Sequence, residues 1–249
     1  MKTLLITGCS SGFGLETAKY FLARNWKVIA TMRTPDQEIL PASPHLHVLA
    51  LDVTDADSIK QAIEAAGPID ALVNNAGIGF LGALEGLSMS TIREIFETNT
   101  FGTMAMIQAV LPQFRQRQAG VIVNVTSSVT IKSLPLLSVY TASKAAVNAF
   151  TESLALELKQ FNIRVSLVLP GRAPDTRFGE NARSRMEQGI HPAYADLAQH
   201  IFSEWAEPAP ITEAEDVAEA VWRAVTDPTS ATRLAAGADA VALFASSQK

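Results

Sequence analysis

The strongest constraint on the fold is a regular alternation of short apolar runs with longer amphipathic segments. Continuous apolar runs of five to eight residues are typical of parallel strands that are buried on both faces. Between them, apolar residues recur at helical spacing, as Leu15, Ala18 and Leu22 do. This alternation predicts right-handed crossovers and one doubly wound, parallel α/β sheet. The predicted strands are residues 3–7, 27–31, 46–52, 69–75, 120–127 and 163–170.

The length of the chain and its punctuation predict one domain. The 249 residues are enough to bury one sizeable core, and no Pro/Gly/Ser-rich linker divides them. We therefore expect a single dinucleotide-binding domain over residues 1–249. An irregular insert from about 171 to 210 shows no strand signal, and long inserts in compact domains often act as lids over a substrate. The prolines of this insert are Pro174, Pro192, Pro208 and Pro210.

Composition argues against several classes of protein. The net charge is −5 and Lys and Arg form no stripe, so we expect no nucleic-acid partner. One cysteine, Cys9, cannot form an internal disulfide, which favours a reducing, cytoplasmic setting. The N-terminal apolar run is too short for a signal peptide, and no segment is long enough to span a membrane. The four histidines lack zinc-ligand spacing, so we expect no metal.

The turn after the first predicted strand reads "TGCSSGFG" and combines three glycines with small hydroxyl residues. A helix that opens at this point presents unpaired N–H groups, and these favour a phosphate. Gly8, Gly12 and Gly14 leave room for a pyrophosphate, and Ser10 and Ser11 add donors. The turn therefore predicts a dinucleotide cradle. The alternative is an ordinary glycine-rich turn, because the spacing differs from the usual G-x-G-x-x-G.

Several motifs in fixed order make the chain resemble the short-chain dehydrogenase/reductase family over residues 2–171. The resemblance implies a Rossmann fold with a seven-stranded parallel sheet flanked by helices. The C-terminal part is similar to the branch with 17β-hydroxysteroid dehydrogenases, retinol dehydrogenases and carbonyl reductases. The matching motifs are "TGCSSGFG" at 7–14, "LDVT" at 51–54, "NNAG" at 74–77, Asn99 in "ETNTFGT", "NVTSS" at 124–128, "YTASK" at 140–144 and "PG" at 170–171.

Tyr140 and Lys144 are four residues apart in a helical segment, so both side chains can face one ligand. A free tyrosine has a pKa of about 10, and a nearby ammonium is expected to lower it. The pair is thus suited to moving a proton to or from an alcohol oxygen. The alternative is a solvated pair on the helix surface.

The resemblance adds roles around this pair. It implies hydride transfer between nicotinamide C4 and a carbonyl or carbinol carbon, with Tyr140 passing the proton. Ser127 would orient and polarise the substrate oxygen, with Ser128 and Ser138 as rivals for that role. Lys144 would bind the ribose. Asn99 would hold a water on a proton path to Lys144, unless it makes a local backbone bond at a kink.

The end of the second strand predicts the choice of cofactor. Met32 stands where an NAD enzyme of the family carries Asp, and Arg33 follows it. A guanidinium suits a 2′-phosphate, so we expect NADP(H) in preference to NAD(H); the alternative is a solvated Arg. Asp52 would contact the adenine or cap the next turn. The expected cofactor contacts are Gly8, Ser10, Ser11, Gly12, Phe13, Gly14, Arg33, Asp52, Val53, Asn75, Ala76, Gly77, Tyr140, Lys144, Pro170, Gly171 and Thr176.

Thr176 lies five residues after Gly171, whereas the family commonly places a carboxamide-binding Thr four residues after that glycine. Apolar residues predict a hydrophobic ketone, aldehyde or alcohol as substrate, although many of them could be core. A small-residue helix face predicts a homodimer, or less readily a tetramer. The expected substrate-side residues are Phe80, Leu81, Leu134, Leu136, Leu137, Phe178, Ile190 and Tyr194. The helix face comprises Ser138, Ala142, Ala145, Ala146 and Ala149.

Two other functions begin from a similar turn. A redox-silent module could bind NADPH to signal its level, but related proteins of that kind usually lose the Tyr or the Lys. A nucleotide-binding methyltransferase would want an acidic residue after the second strand and would not use Tyr140 and Lys144 together. An active oxidoreductase explains more of the motifs.

Overall fold

A computed structural model describes residues 1–176 and 190–247. Its centre is a parallel sheet of seven strands in the order β3-β2-β1-β4-β5-β6-β7. Flanking helices make this the predicted doubly wound Rossmann fold. The strands are β1 (Thr3–Thr7), β2 (Lys27–Met32), β3 (Leu46–Ala50), β4 (Ala71–Asn74), β5 (Gly120–Val125), β6 (Ile163–Pro170) and β7 (Arg233–Ala236).

Helices connect each pair of consecutive strands except β2 and β3, which are joined by residues 33–45 without a helix. A π-helical turn, Glu97–Phe101, joins α3 to α4. The helices of the described residues are α1 (Gly12–Leu22), α2 (Ala56–Ala66), α3 (Met89–Phe96), α4 (Gly102–Arg117), α5 (Ser138–Leu158), α6 (Ala195–Ala206), α7 (Ala214–Thr226) and α8 (Ala238–Ser247).

The two-residue period of the strands divides the core between the two faces of the sheet. Leu4 and Ile6 of β1 lie in one cluster with Phe21 of α1 and Val221 of α7. Leu5 lies in the other cluster, which contains residues of α2, α4 and α5. All of these β1 side chains are fully buried, as expected of a central strand covered on both sides.

The strand order places the site. The chain passes outward from β1 to β2 and β3, then returns to pair β4 with the opposite side of β1. At such a reversal the connections diverge and leave a crevice at the carboxyl ends of the strands. The turn of residues 8–11 follows β1, and Asn75–Gly77 follows β4, so both border this crevice.

The predicted irregular insert is partly helical. Of residues 171–210, the structure describes 171–176 and 190–210, and these contain α6. Proline and glycine concealed the helix, because Pro192 begins a short 3₁₀ turn directly before it. Phe178 lies outside the described residues. Among the residues that are described, no helix is both long and apolar enough to cross a membrane.

Candidate active site

A cavity of about 1380 Å³ runs along the carboxyl edge of the sheet. It gathers almost all of the predicted site residues on one surface. Gly14 and Asn99 do not line it but pack directly behind residues that do. The lining includes Gly8, Ser10, Ser11, Gly12, Phe13, Arg33, Asp52, Val53, Asn75, Ala76, Gly77, Ser127, Tyr140, Lys144, Pro170, Gly171 and Thr176.

The glycine turn has no room for a side chain at Gly8 or at Gly14. Gly8 and Gly12 have φ of +76° and +57°, a region that favours glycine. A Cβ on Gly14 would lie 2.3 Å from the Gly8 carbonyl oxygen. The Ser11 side chain makes no cap bond to the first turn of α1, and Gly12 and Phe13 of that turn line the cavity. This cradle fits a dinucleotide diphosphate.

Hydrogen bonds from the β4 end hold the turn in place. Asn75 Nδ2 donates to the Thr7 and Gly8 carbonyl oxygens at 3.0 and 3.1 Å. The Thr7 hydroxyl accepts the Asn75 and Ala76 N–H groups at 3.0 and 2.9 Å. Thr7 is a site residue to which the sequence motifs assign no role of its own. Its position at the end of a strand, directly before the glycines, was the available signal.

The three groups predicted for proton transfer lie together. The buried Tyr140 hydroxyl hydrogen-bonds the Ser127 side chain, and Ser127 Oγ also accepts the Val129 N–H at 3.3 Å. Lys144 Nζ donates to the Val125 carbonyl oxygen at 3.1 Å. This geometry favours Ser127 over Ser138, which is exposed. Ser128 also lines the cavity, whereas Ser127 bonds the Tyr140 hydroxyl.

The expectation that the pKa of Tyr140 is lowered is wrong for the protein without a bound cofactor. Burial raises the pKa of Tyr140 to about 12, and the Ser127 bond only partly opposes this. Burial lowers the pKa of Lys144 to about 8. Both shifts have one cause, which is that a low-dielectric site disfavours the charged form of each group. A protonated phenol near neutral pH is the form that can donate a proton.

Asn99 lies in the π-helical turn between α3 and α4. Its Oδ1 accepts the Ile78 N–H at 2.8 Å, and its Nδ2 donates to the Ile78 carbonyl at 2.9 Å. Nδ2 also donates to Ser143 Oγ at 3.1 Å. A local backbone bond at a kink is the alternative that the sequence left open. Asn99 does lie in a π-helical turn, but the backbone that it bonds is that of Ile78, which is distant in sequence. Asn99 thereby ties the loop after β4 to α5.

Gly77 shows how closely Asn99 and Lys144 approach. A Cβ placed on Gly77 would lie 3.2 Å from Asn99 Oδ1 and 3.3 Å from Lys144 Nζ. The two side chains therefore converge on one point of the cavity wall. The role of Asn99 in holding a water stays a prediction.

The end of the cavity that is expected to hold adenosine contains Met32, Arg33 and Asp52. Met32 is buried and Arg33 is exposed at the rim. Asp52 Oδ1 accepts the Thr54 N–H at 2.9 Å and its hydroxyl at 2.8 Å. The pKa of Asp52 lies below its usual value, chiefly because of the Thr54 N–H bond, with a contribution from the Arg33 charge. Asp52 thus holds its turn and also faces the cavity.

The opposite end contains the segment after β6. Thr176 is buried and lines the cavity, and its hydroxyl donates to the Ala173 carbonyl at 2.9 Å. A Cβ on Gly12 would lie 3.4 Å from Thr176 Cβ. The extra residue after Gly171 therefore does not remove Thr176 from the site.

The apolar lining is partly as predicted. Of the expected substrate-side residues, Leu81, Leu134 and Leu137 line the cavity. Phe80 and Leu136 lie in core clusters instead, and Ile190 and Tyr194 pack around the cluster that contains Leu136. Three residues that are not among those expected from sequence also line the cavity, from α6 and α8: Phe202, Trp205 and Leu243. The hydrophobic spacing of those helices was the available signal.

Comparison with known proteins identifies the relatives of this chain. A family model described as short chain dehydrogenase matches residues 2–187. Human retinol dehydrogenase 8 is 38% identical over 219 residues, covering 84% of this chain and 70% of that protein. Human 17-beta-hydroxysteroid dehydrogenase type 1 is 34% identical over 249 residues, covering 90% and 74%. The chain spans 58% to 74% of the length of the curated relatives it matches.

Solved structures of similar fold carry either nicotinamide cofactor. A short chain dehydrogenase from Burkholderia cenocepacia, in complex with NADP, superposes with a TM-score of 0.78 at 27% identity, covering 98% of this chain and 93% of that one. A short chain dehydrogenase/reductase from Burkholderia phymatum, in complex with NAD, gives 0.83 at 25% identity, covering 99% and 92%. Fold similarity alone therefore does not select between the two cofactors.

Proposed function

The chain belongs to the short-chain dehydrogenase/reductase family, and on that premise we propose that it is an NADP(H)-dependent oxidoreductase. Its substrate is the carbonyl or secondary alcohol of a mostly hydrophobic small molecule, and the whole chain acts as one dinucleotide-binding domain. The observation that carries the proposal is the buried Tyr140 hydroxyl, bonded to Ser127 beside Lys144 on a cavity that also contains the glycine turn. A redox-silent module would not need this arrangement.

The residues divide the work as follows. The bound nicotinamide supplies or accepts the hydride. Ser127 hydrogen-bonds the substrate oxygen and stabilises charge that develops on it. Tyr140 donates its proton to that oxygen during reduction and takes it back during oxidation. The Lys144 ammonium binds the ribose and stabilises the phenolate that remains after donation. The turn of residues 8–14 binds the diphosphate.

Turnover of NADPH tests the proposal directly. The loss of NADPH absorbance is followed with aromatic, long-chain aliphatic and steroid-like ketones. We expect turnover with at least one apolar ketone, because the wall formed by Leu81, Leu134, Phe202 and Trp205 favours apolar groups. Tight NADPH binding without turnover on any of them would instead support the redox-silent module.

We predict that Arg33 selects the cofactor. Replacing Arg33 with Ala removes a guanidinium at the adenosine end of the cavity, and charge-assisted bonds to a phosphate contribute about 1.5–3 kcal/mol. We expect kcat/KM for NADPH to fall about 10- to 100-fold while kcat/KM for NADH changes little. Arg115→Ala is the control, since Arg115 is exposed on α4 and does not line the cavity. A wild type without a preference for NADPH would contradict the assignment.

We predict a pH dependence set by Lys144. Its pKa is lowered to about 8 by burial, so the ammonium is present below that pH and lost above it. Tyr140 stays protonated across this range because its pKa is raised to about 12. We expect kcat/KM for NADPH, measured in ketone reduction at saturating ketone, to be level near neutral pH and to decline above about pH 8. This parameter reports the free enzyme, and a level profile up to pH 10 would contradict the role of Lys144.

We further propose a cytoplasmic homodimer. The small-residue face of α5 is consistent with close packing against a second copy, because Ser138, Ala142, Ala145 and Ala149 are all exposed. A single buried cysteine, Cys9, is compatible with a reducing compartment. Light scattering on the purified chain measures the dimer, and a monomer or a tetramer at micromolar concentration would contradict it.

A further inference from the structure

Behind Gly171 lies a hydrogen-bond network that has no part in the proposed transfer of the hydride and the proton. Asp239 lies in the first turn of α8 and lines the cavity. Its Oδ2 accepts the Arg172 N–H at 2.6 Å, and its Oδ1 lies 2.7 Å from the Thr212 hydroxyl. One carboxylate thus contacts the segment that leaves β6 and the residue that precedes α7.

Thr212 completes the connection. It is buried, and its Oγ accepts the Gly171 N–H at 2.9 Å. Its own N–H donates to the Arg172 carbonyl at 2.8 Å. The chain leaves β6 at Gly171 and passes beside it again at Thr212, before α7, so these bonds join the two ends of the intervening segment.

The network is tightly packed against Gly171 and Gly237. A Cβ on Gly171 would lie 2.1 Å from Asp239 Oδ2, so the carboxylate fills the space beside that glycine. Gly237 has φ of +94°, and a Cβ on it would lie 2.0 Å from Thr212 Oγ. Arg172 extends the network, since its Nη1 donates to the Trp205 carbonyl at the end of α6 at 2.6 Å.

The position of this network gives it a function. β6 pairs with β5, and Ser127 follows β5, so residues 170–172 border the catalytic half of the cavity. We propose that Asp239 and Thr212 are positioning residues, which hold residues 170–172 against the bound dinucleotide and fix the end of α6 that carries Trp205. The inference rests on the proposed function, because it assumes that the cavity binds a nicotinamide cofactor.

The first test is cofactor affinity rather than turnover. We expect Asp239→Ala to raise the Kd for NADPH, measured by fluorescence titration, about 5- to 20-fold. Thr212→Val keeps the volume of the side chain and removes its hydroxyl, so it should give a similar rise. Because both residues act on the same segment, their effects should not be independent. The Kd for NADPH of the double variant should rise by less than the product of the two single-variant increases.

Two further variants separate positioning from stability. Asp239→Asn keeps an oxygen for the Arg172 N–H and should restore most of the affinity. Asp216→Ala is the matched control, because Asp216 lies in the first turn of α7, accepts the Glu213 N–H at 2.9 Å, and does not line the cavity. It should lower Tm and leave the Kd unchanged.

The outcomes distinguish this inference from the proposed function. If the wild type binds NADPH, and Asp239→Ala and Thr212→Val bind it within twofold of wild type, the positioning role is wrong. The same holds if Asp216→Ala raises the Kd as much as Asp239→Ala does. If the wild type binds neither NADPH nor NADH, the proposed function fails, and the inference fails with it.

Discussion

Replacing Tyr140 with Phe is expected to lower kcat for ketone reduction by about 10²- to 10⁴-fold, the usual contribution of a positioned general acid. The change removes one hydroxyl and keeps the buried ring. The change loses the hydrogen bond between the hydroxyl and Ser127. Because the ring remains in place, the fold and the cofactor site should be retained. The Kd for NADPH is therefore expected to stay within about threefold of the wild-type value.

The experiment needs a second tyrosine as its control. Tyr20 lies on α1 and stacks beneath the Arg24 guanidinium, 3.3 Å from the ring centre, and it does not line the cavity. Tyr20→Phe removes the same hydroxyl group and should leave kcat unchanged. Stopped-flow measurement of hydride transfer under single-turnover conditions separates the chemical step from product release. Unchanged single-turnover rates in Tyr140→Phe would remove the proposed acid.

Much of the fold was predictable because β1 and its neighbours are buried on both faces. Their continuous apolar runs are visible without any knowledge of partners, and β1 and β6 begin and end as predicted. β7 has only four residues, and its apolar run is too short to stand out in the sequence. The family resemblance implied a seventh strand without giving its position. α6 was hidden because prolines precede and follow it, and proline obscures a helical pattern.

The candidate site was predictable where the residues next to a site residue in the sequence form a recognisable pattern. The glycines of the turn and the Tyr140–Lys144 spacing are of this kind. The direction of the Tyr140 pKa shift was not, because it depends on burial by residues far away in sequence. Asp239 was not predicted for the same reason. It accepts a hydrogen bond from Arg172, which lies 67 residues earlier, and no sequence motif indicates this contact.

Replacing Gly14 with Ala is expected to disable cofactor binding more completely than any change to a side chain around it. The new Cβ would lie 2.3 Å from the Gly8 carbonyl oxygen and 2.5 Å from Asn75 Nδ2. The contact with the Gly8 carbonyl is with backbone, which cannot rotate away as a side chain can, so the turn must shift. A displacement of about 1 Å in a positioning element can cost about 100-fold, and we expect kcat/KM for NADPH to fall by at least that factor.

The loss of stability must be separated from the loss of binding. Overpacking at Gly14 should cost about 1–3 kcal/mol of unfolding free energy. Gly67 provides a matched control, since it ends α2 with φ of +71° and has nothing within 4 Å of an added Cβ. Gly67→Ala should cost about 1–3 kcal/mol through backbone strain alone. If the two variants have equal Tm values and only Gly67→Ala has a normal Kd for NADPH, the binding defect of Gly14→Ala lies in the glycine turn. Normal NADPH binding by Gly14→Ala would show that the diphosphate does not bind at this turn.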